Sequence, residues 1–357
     1  MSKYVIDKKA LDENIELIIE KAGVPVIGVV KGNGYGFGIC EFTKALQAHG
    51  IKTFAVTEVT DIPVLKEILK DEDILVLRST GVSDEAKVVA ENGCIATIGS
   101  LTSAEIMNAA AAELGVTVKC HLKIDTGLGR YGFMPSEVED AIKCYEMPNL
   151  EFTGVYTHFS QAFENVPLTQ EQLVIFKDTV EQIKKAVGDV GIVHAANSPA
   201  LLNAKDVALD AVRIGSAFTG RVITHSDIGL KRLGVLQAEV VETKVVPKGY
   251  KVGYVGLYTT TRETKIAIVP FGHGDGFGLT VEKEEYKMFH VFSALKRALN
   301  KQRIYVKING KNYPVIGCIG LTHTAVDVTG SDIKAGDVAE ADISPLMVNA
   351  RVPRVYE

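Results

Sequence analysis

The chain has 357 residues, enough for two domains with sizeable cores. Hydrophobic residues make up 46% and charged residues 23%, the balance of a soluble globular enzyme, and a net charge of −5 without a long basic block argues against nucleic acid and anionic membrane as partners. The opening Met-Ser-Lys-Tyr-Val-Ile-Asp lacks the apolar core of a signal peptide, no later stretch is long enough to span a bilayer, and five scattered cysteines form neither a metal spacing nor a disulfide framework, so the reading is a reducing cytoplasm and no metal.

In chain order, Leu11, Ile15, Ile18, Ile19 and Ala22 recur at helical spacing. Strand-like runs then alternate with amphipathic stretches. Strands are expected at residues 25–31, 53–56, 74–77, 94–98, 116–125, 150–158, 192–195 and 209–214. Helices are expected at 42–48, 62–69, 83–90, 103–114, 136–144, 170–187 and 199–204. Eight strands, most of them separated by helices, predict an α/β fold of (β/α)8 TIM type over residues 1–232. Lys31, Asp125, His158, Asn197 and Arg213 fall at or near the carboxyl ends of these strands, which share one mouth in a barrel. An open doubly wound sheet would also place functional groups at strand ends. Its G-x-G-x-x-G fingerprint fails here, because Phe37, Ile39 and Glu41, and later Phe277, Leu279 and Val281, stand where glycine is needed. After about Leu233 the pattern changes. Residues 235–246, 266–269, 304–308 and 315–318 read as strands, with turns at Pro247-Lys248-Gly249 and Asn309-Gly310 and a helix over 288–299. Residues 233–357 are therefore expected to form a second, mainly β domain.

Six stretches carry chemistry. In Val29-Val30-Lys31-Gly32-Asn33-Gly34-Tyr35-Gly36, β-formers deliver a lysine to a strand end and a glycine-rich turn follows. The glycines let backbone amides approach a phosphate, and Tyr35 can aim a phenol at the same object; a surface lysine before a loose loop is the bland alternative. In Lys123-Ile124-Asp125-Thr126-Gly127-Leu128-Gly129-Arg130, the arginine between glycines can clamp a carboxylate or sit in a structural ion pair. His158 ends the sixth strand, as a site residue or a hydrogen-bonded structural one. Ser198 is placed to cap a short helix or to help bind an anion there. With Gly215 and Ser216 behind Arg213, it occupies the position where barrels often bind phosphate. Gly272-His273-Gly274-Asp275-Gly276 reads as a constrained turn around a histidine.

Together and in this order, these motifs resemble the alanine racemase family of pyridoxal-phosphate enzymes, which pair a β/α barrel with a β domain. The resemblance implies pyridoxal 5'-phosphate held by Lys31 as a Schiff base. It implies a phosphate bound by Tyr35, Ser198 and the backbone of Gly215 and Ser216, with His158 beside the cofactor ring and Arg213 facing its pyridine nitrogen. Arg130 matches an arginine near the substrate carboxylate, and Lys123 a lysine, often carbamylated, that steadies it. Leu321 stands where a methionine usually donates a backbone N–H to that carboxylate. The closing Arg351-Val352-Pro353-Arg354 segment is similar to the family's C-terminus. A homodimer acting on a small amino acid, alanine by default, with each site shared between subunits, is likewise implied.

The departures cluster on the substrate side, and the phosphate side is largely kept. Glycines replace the usual alanines after Lys31, Thr322 and His323 replace an Asp-Gln pair, and Ala350 replaces a phosphate-binding tyrosine. Residues 279–300 look longer than the family's equivalent. His273 stands where the family keeps the tyrosine that serves as second base. Its reference pKa of about 6.5, against about 10 for tyrosine, makes histidine a competent base near neutrality. The expected activity is a two-base racemase using Lys31 and His273. A lyase, decarboxylase or D-amino-acid enzyme that protonates from one face is the alternative the missing tyrosine keeps open, and a non-catalytic cofactor carrier is a third.

Overall fold

The computed structural model describes residues 1–279 and 304–357. The expected helix over 288–299 lies outside the described residues. The chain divides into two compact units, Lys8–Leu233 and Met1–Asp7 with Gly234–Glu357.

The first unit is the barrel. Its strands are β2 (Val26–Val29), β3 (Thr53–Val56), β4 (Asp73–Val76), β5 (Ala96–Ile98), β6 (Val118–Lys123), β7 (Leu150–Tyr156), β8 (Ile192–His194) and β9 (Val212–Ile214). Every pairing is parallel and follows chain order, and β2 also pairs with β9. Single bridges, Leu75 with Ile95 and His194 with Ala211, close the two remaining seams. Helices such as Lys8–Ala22, Leu101–Leu114 and Val166–Val187 connect the strands. Their buried residues recur three or four apart, as Leu11, Ile15 and Ile18 do, which covers the sheet's outer face.

Alternation along the strands then divides the barrel interior. Ile27, Val29, Ala55, Leu75, Ile95 and Ala211 form an apolar cluster. From β6 to β9 the buried polar side chains are His121, Lys123, His194 and Arg213, with the Tyr156 ring among them. This polar half is where the site is built.

In the second unit β1 (Lys3–Ile6) runs antiparallel to β10 (Val235–Glu239) and parallel to β19 (Arg354–Tyr356). The amino-terminal residues thus belong to this unit rather than to residues 8–232. The expected strand over 235–246 is two strands, because the chain changes sheets between them. Val240 donates to Asp337 and Val241 to Ile268, after which β11 (Glu242–Val246) pairs with β14 (Thr264–Val269). Asn309 and Gly310 both have positive φ, 49° and 80°, and join a hairpin of Tyr305–Ile308 and Lys311–Pro314. The second hairpin strand therefore ends where a strand over 315–318 was expected to begin, and Val315 keeps a lone bridge to Val326. No described helix is long and apolar enough to cross a membrane.

Candidate active site

Lys31 shares the parity of Ile27 and Val29, so its side chain leaves β2 on the inner side at the carboxyl end. A left-handed turn follows, with φ of 61°, 55°, 62° and 54° at Gly32, Asn33, Gly34 and Tyr35. This conformation costs an L residue ~1–2 kcal/mol and glycine almost nothing. Gly34 donates to Val30 and Gly36 to Gly32, each at 2.9 Å, and Asn33 Oδ1 accepts from Ile39 at 2.9 Å. The amides of Gly34 and Gly36 close the turn on itself rather than facing an anion, against the simple expectation. What the turn provides is the aim of Tyr35, whose ring lies against Gly215. A Cβ at Gly215 would stand 2.7 Å from Tyr35 Oη and closer still to the ring edge.

Asp125 organises the loop after β6. Its carboxylate accepts from Gly127, Leu128 and Arg130 amides at 2.9, 2.8 and 2.9 Å. These bonds hold it below the usual carboxylate range despite opposing burial. The loop carries Arg130, whose guanidinium sits 5.5 Å from the Tyr131 ring centre. Lys123 is buried with its Nζ 4.5 Å from the centre of the Tyr156 ring.

Arg213 is pinned beneath the mouth. It donates to the carbonyls of Thr157 (2.6 Å), Ala195 (2.9 Å) and His194 (3.2 Å), and to His194 Nδ1 at 2.8 Å. His158 Nδ1 lies 3.5 Å from the same guanidinium. Burial lowers Arg213 to about 10, so it stays charged at neutral pH. Ser198 Oγ accepts from the amides of Gly215 (3.2 Å) and Ala217 (3.3 Å), which leaves its own proton to donate outward. Asn197, one residue earlier, accepts from Ala200 at 3.1 Å and caps the short helix Ser198–Asn203. Ser216 opens a 3-10 turn, Ser216–Thr219.

Lys31, Tyr35, Arg130, His158, Ser198 and Arg213 line one cavity of about 260 Å³, as do Gly215 and Ser216. Lys123 lies behind it. Burial lowers the Lys31 amine first, and Arg130 and Arg213 lower it further. Lys123 is held well below its ordinary value by burial, then Arg213 and Arg130. His158 is pushed well down by burial and the surrounding cations, so its ring is neutral. Burial pushes the Tyr35 phenol up to about 12, which keeps it a donor. Four basic side chains converge here, and Asp125 is turned onto backbone amides. Such a mouth selects an anionic occupant.

His273 and Leu321 belong to the second unit. His273 donates its backbone amide to Gly320 at 2.9 Å and Gly274 donates to Leu321 at 2.8 Å, so the two loops are bound to each other. A Cβ at Gly272 or Gly274 would come within 2.9 Å of the Leu321 carbonyl, so the glycines permit this close approach. His273 Nδ1 lies 3.0 Å from the Phe277 carbonyl, which only accepts. In the neutral ring the proton is therefore on Nδ1 and the lone pair on Nε2. Both side chains are exposed, Leu321 at 69%.

His121, Tyr156 and His194 were not singled out by the sequence reading, although they enclose Arg213. The alternation of His121, Lys123 and Asp125 along β6 was the available signal.

The arrangement defines a β/α-barrel enzyme with a strand-end amine and an anion cradle at its mouth. The alanine racemase N-terminal domain matches residues 6–222 and the C-terminal domain residues 234–344. An alanine racemase of Chlorobaculum tepidum is 31% identical over 88% of this chain and 79% of its own length. The structure of an alanine racemase from Clostridium difficile aligns over 100% of this chain and 95% of its own, with TM-score 0.88 and 26% identity. A Bartonella henselae alanine racemase with covalently bound pyridoxal phosphate shares the fold, with TM-score 0.83 and 23% identity over 100% and 99% of the two chains. The chain belongs to the alanine racemase family. Members of that family are pyridoxal-phosphate-dependent amino-acid racemases, and this chain is one of them.

Proposed function

We propose that the protein interconverts L- and D-amino acids, alanine by default, with Lys31 and His273 as the two bases in a homodimer whose sites are shared between copies. The supporting observation is the tautomer of His273: with Nδ1–H given to Phe277, Nε2 is the atom free to take a proton. Pyridoxal 5'-phosphate suits the mouth. Lys31 is an amine with a lowered pKa, suited to condense with an aldehyde, and Tyr35 and Ser198 keep protons to donate to phosphate beside Gly215 and Ser216. When bound, the cofactor supplies the electron sink for charge left at Cα.

The chain's own groups do the rest. Arg130 would bind the substrate carboxylate, assisted by the backbone of Leu321, and a carbamylated Lys123 would steady Arg130. Arg213 cannot accept a proton, so opposite the pyridine nitrogen it would keep that nitrogen unprotonated. His158, neutral, would pack beside the ring. Lys31 would move the Cα proton on one face and His273 Nε2 on the other. The expected compartment is the cytoplasm.

His273→Ala with solvent deuterium is the test. Racemisation should fall by ~10²–10⁴ in both directions, the range general acid–base groups contribute. Undiminished interconversion would remove His273 from the mechanism. A new product without the opposite enantiomer would replace racemisation with one-face chemistry.

A further inference from the structure

Behind Arg213 the barrel holds two histidines that the mechanism leaves unused. His194, 0% exposed, ends β8, and His121, 1% exposed, lies within β6. Arginine has only donors, so across 2.8 Å its Nη1 must donate to His194 Nδ1. The His194 proton is then on Nε2, which donates across 3.0 Å to His121 Nδ1. His121 in turn keeps its proton on Nε2, facing Gly154, where a Cβ would come within 2.7 Å of that nitrogen. The arginine thus sets the direction of every bond, and a proton added to either accepting nitrogen would set donor against donor.

The neighbours reinforce this arrangement. Tyr156 stacks on His194 at 4.9 Å and 13°, and the Arg213 guanidinium lies 4.8 Å from the centre of the Tyr156 ring. The charged or titratable groups around the pair are Arg213, Lys123 and Tyr156. Burial and Arg213 push both imidazoles down from their ordinary value. Barrel interiors are ordinarily filled by branched apolar residues, and a buried imidazole is costly unless it is hydrogen-bonded. Here each nitrogen facing the chain is spent on Arg213 or on the other ring.

We propose that His121 and His194 are positioning residues for Arg213, fixing the guanidinium's plane and its donor role at the barrel mouth. Carbonyls of Thr157, His194 and Ala195 also hold the guanidinium, but His194 Nδ1 adds a directional partner that His121 locks in one tautomer. The consequence for catalysis rests on Arg213 facing the cofactor. The tautomer chain does not.

The experiment has two arms. Long-range ¹H–¹⁵N correlation on histidine-labelled protein should show both rings neutral with the proton on Nε2, from about pH 8 to about pH 5, across the ordinary imidazole range. An Nδ1-protonated His194, or an imidazolium at either position, overturns the chain. In the second arm, His121→Leu removes the acceptor, and His121→Asn returns an oxygen close to the Nδ1 position. In cofactor-loaded enzyme, His121→Leu should shift the visible absorbance and its pH dependence. It should also lower kcat about tenfold with KM within about twofold, and His121→Asn should restore most of both. If only thermal stability changes while the spectrum stays put, the pair merely fills space and the proposal is overturned. Should His121→Leu not fold, His121→Gln, whose amide reaches the Nε2 position instead, serves as the loss variant. Failure of the wild type to bind pyridoxal phosphate would sink the site assignment and leave the first arm standing.

Discussion

Tyr35 keeps its place because position 215 has no Cβ. Gly215→Ala would drive a methyl into the edge of the phenol ring, which would have to leave its place. Cofactor affinity, read by titrating apoenzyme, should fall at least tenfold, about 1.4 kcal/mol. Tyr35→Phe, which keeps the ring and removes only the donor, should cost less. The buried imidazoles make a second prediction. Burial and Arg213 lower the folded-state pKa of His121 to about 3. An unfolded imidazole takes up its proton near 6.5, so stability is full above that pH and is lost as pH falls towards 3, by ~5 kcal/mol at most. Urea midpoints between pH 7 and pH 4 should drop in wild type and drop less in His121→Asn. A midpoint flat with pH would contradict a neutral buried ring. Lys31 and Arg213 were legible because each is a lone charged residue where a strand of β-formers runs out. His121 and His194 were not, because a histidine inside a strand looks the same whether it faces helix or barrel axis, and only the closed topology decides.

The element with the least ordinary backbone is the turn after Lys31. Consecutive left-handed residues are tolerated because Gly32 and Gly34 alternate with Asn33 and Tyr35. Gly32→Ala adds left-handed backbone strain at an exposed position and should cost ~1 kcal/mol. Gly34→Ala also brings a methyl to 3.1 Å from Phe42 Cβ and 3.3 Å from Ile39 Cα, so it should cost more. Equilibrium unfolding in urea ranks the two; equal costs would mean that the Phe42 contact relaxes freely. The glycine spacing announced a special turn. It did not announce its hand, since the same composition serves an amide cradle for phosphate. Strand boundaries were missed for a comparable reason. Residues 235–246 mix β-formers with polar residues and hold no glycine or proline to mark an end, and the break between β10 and β11 arises from pairing with two different sheets.

At the scale of the whole molecule, the division of labour is between two units that close around different sheets. The barrel was legible from alternating strands and helices because each parallel pairing is a local step of one β/α repeat. The membership of β1 was not, since its partners β10 and β19 lie more than two hundred residues away in sequence. The same division locates the two proposed bases, with Lys31 in the barrel unit and His273 in the β unit. If each site takes Lys31 from one copy and His273 from the other, Lys31→Ala and His273→Ala homodimers are both inactive. A mixed dimer then has one site lacking both residues and one site lacking neither. Random association makes half of all dimers mixed, and half of the sites in those are whole. Co-expression of the two variants should therefore restore about a quarter of wild-type racemisation, a consequence of twofold symmetry. Sites contained within a single copy would give no recovery at any mixing ratio, and the dependence on ratio, passing through a maximum at equal amounts, separates true complementation from residual activity of either parent.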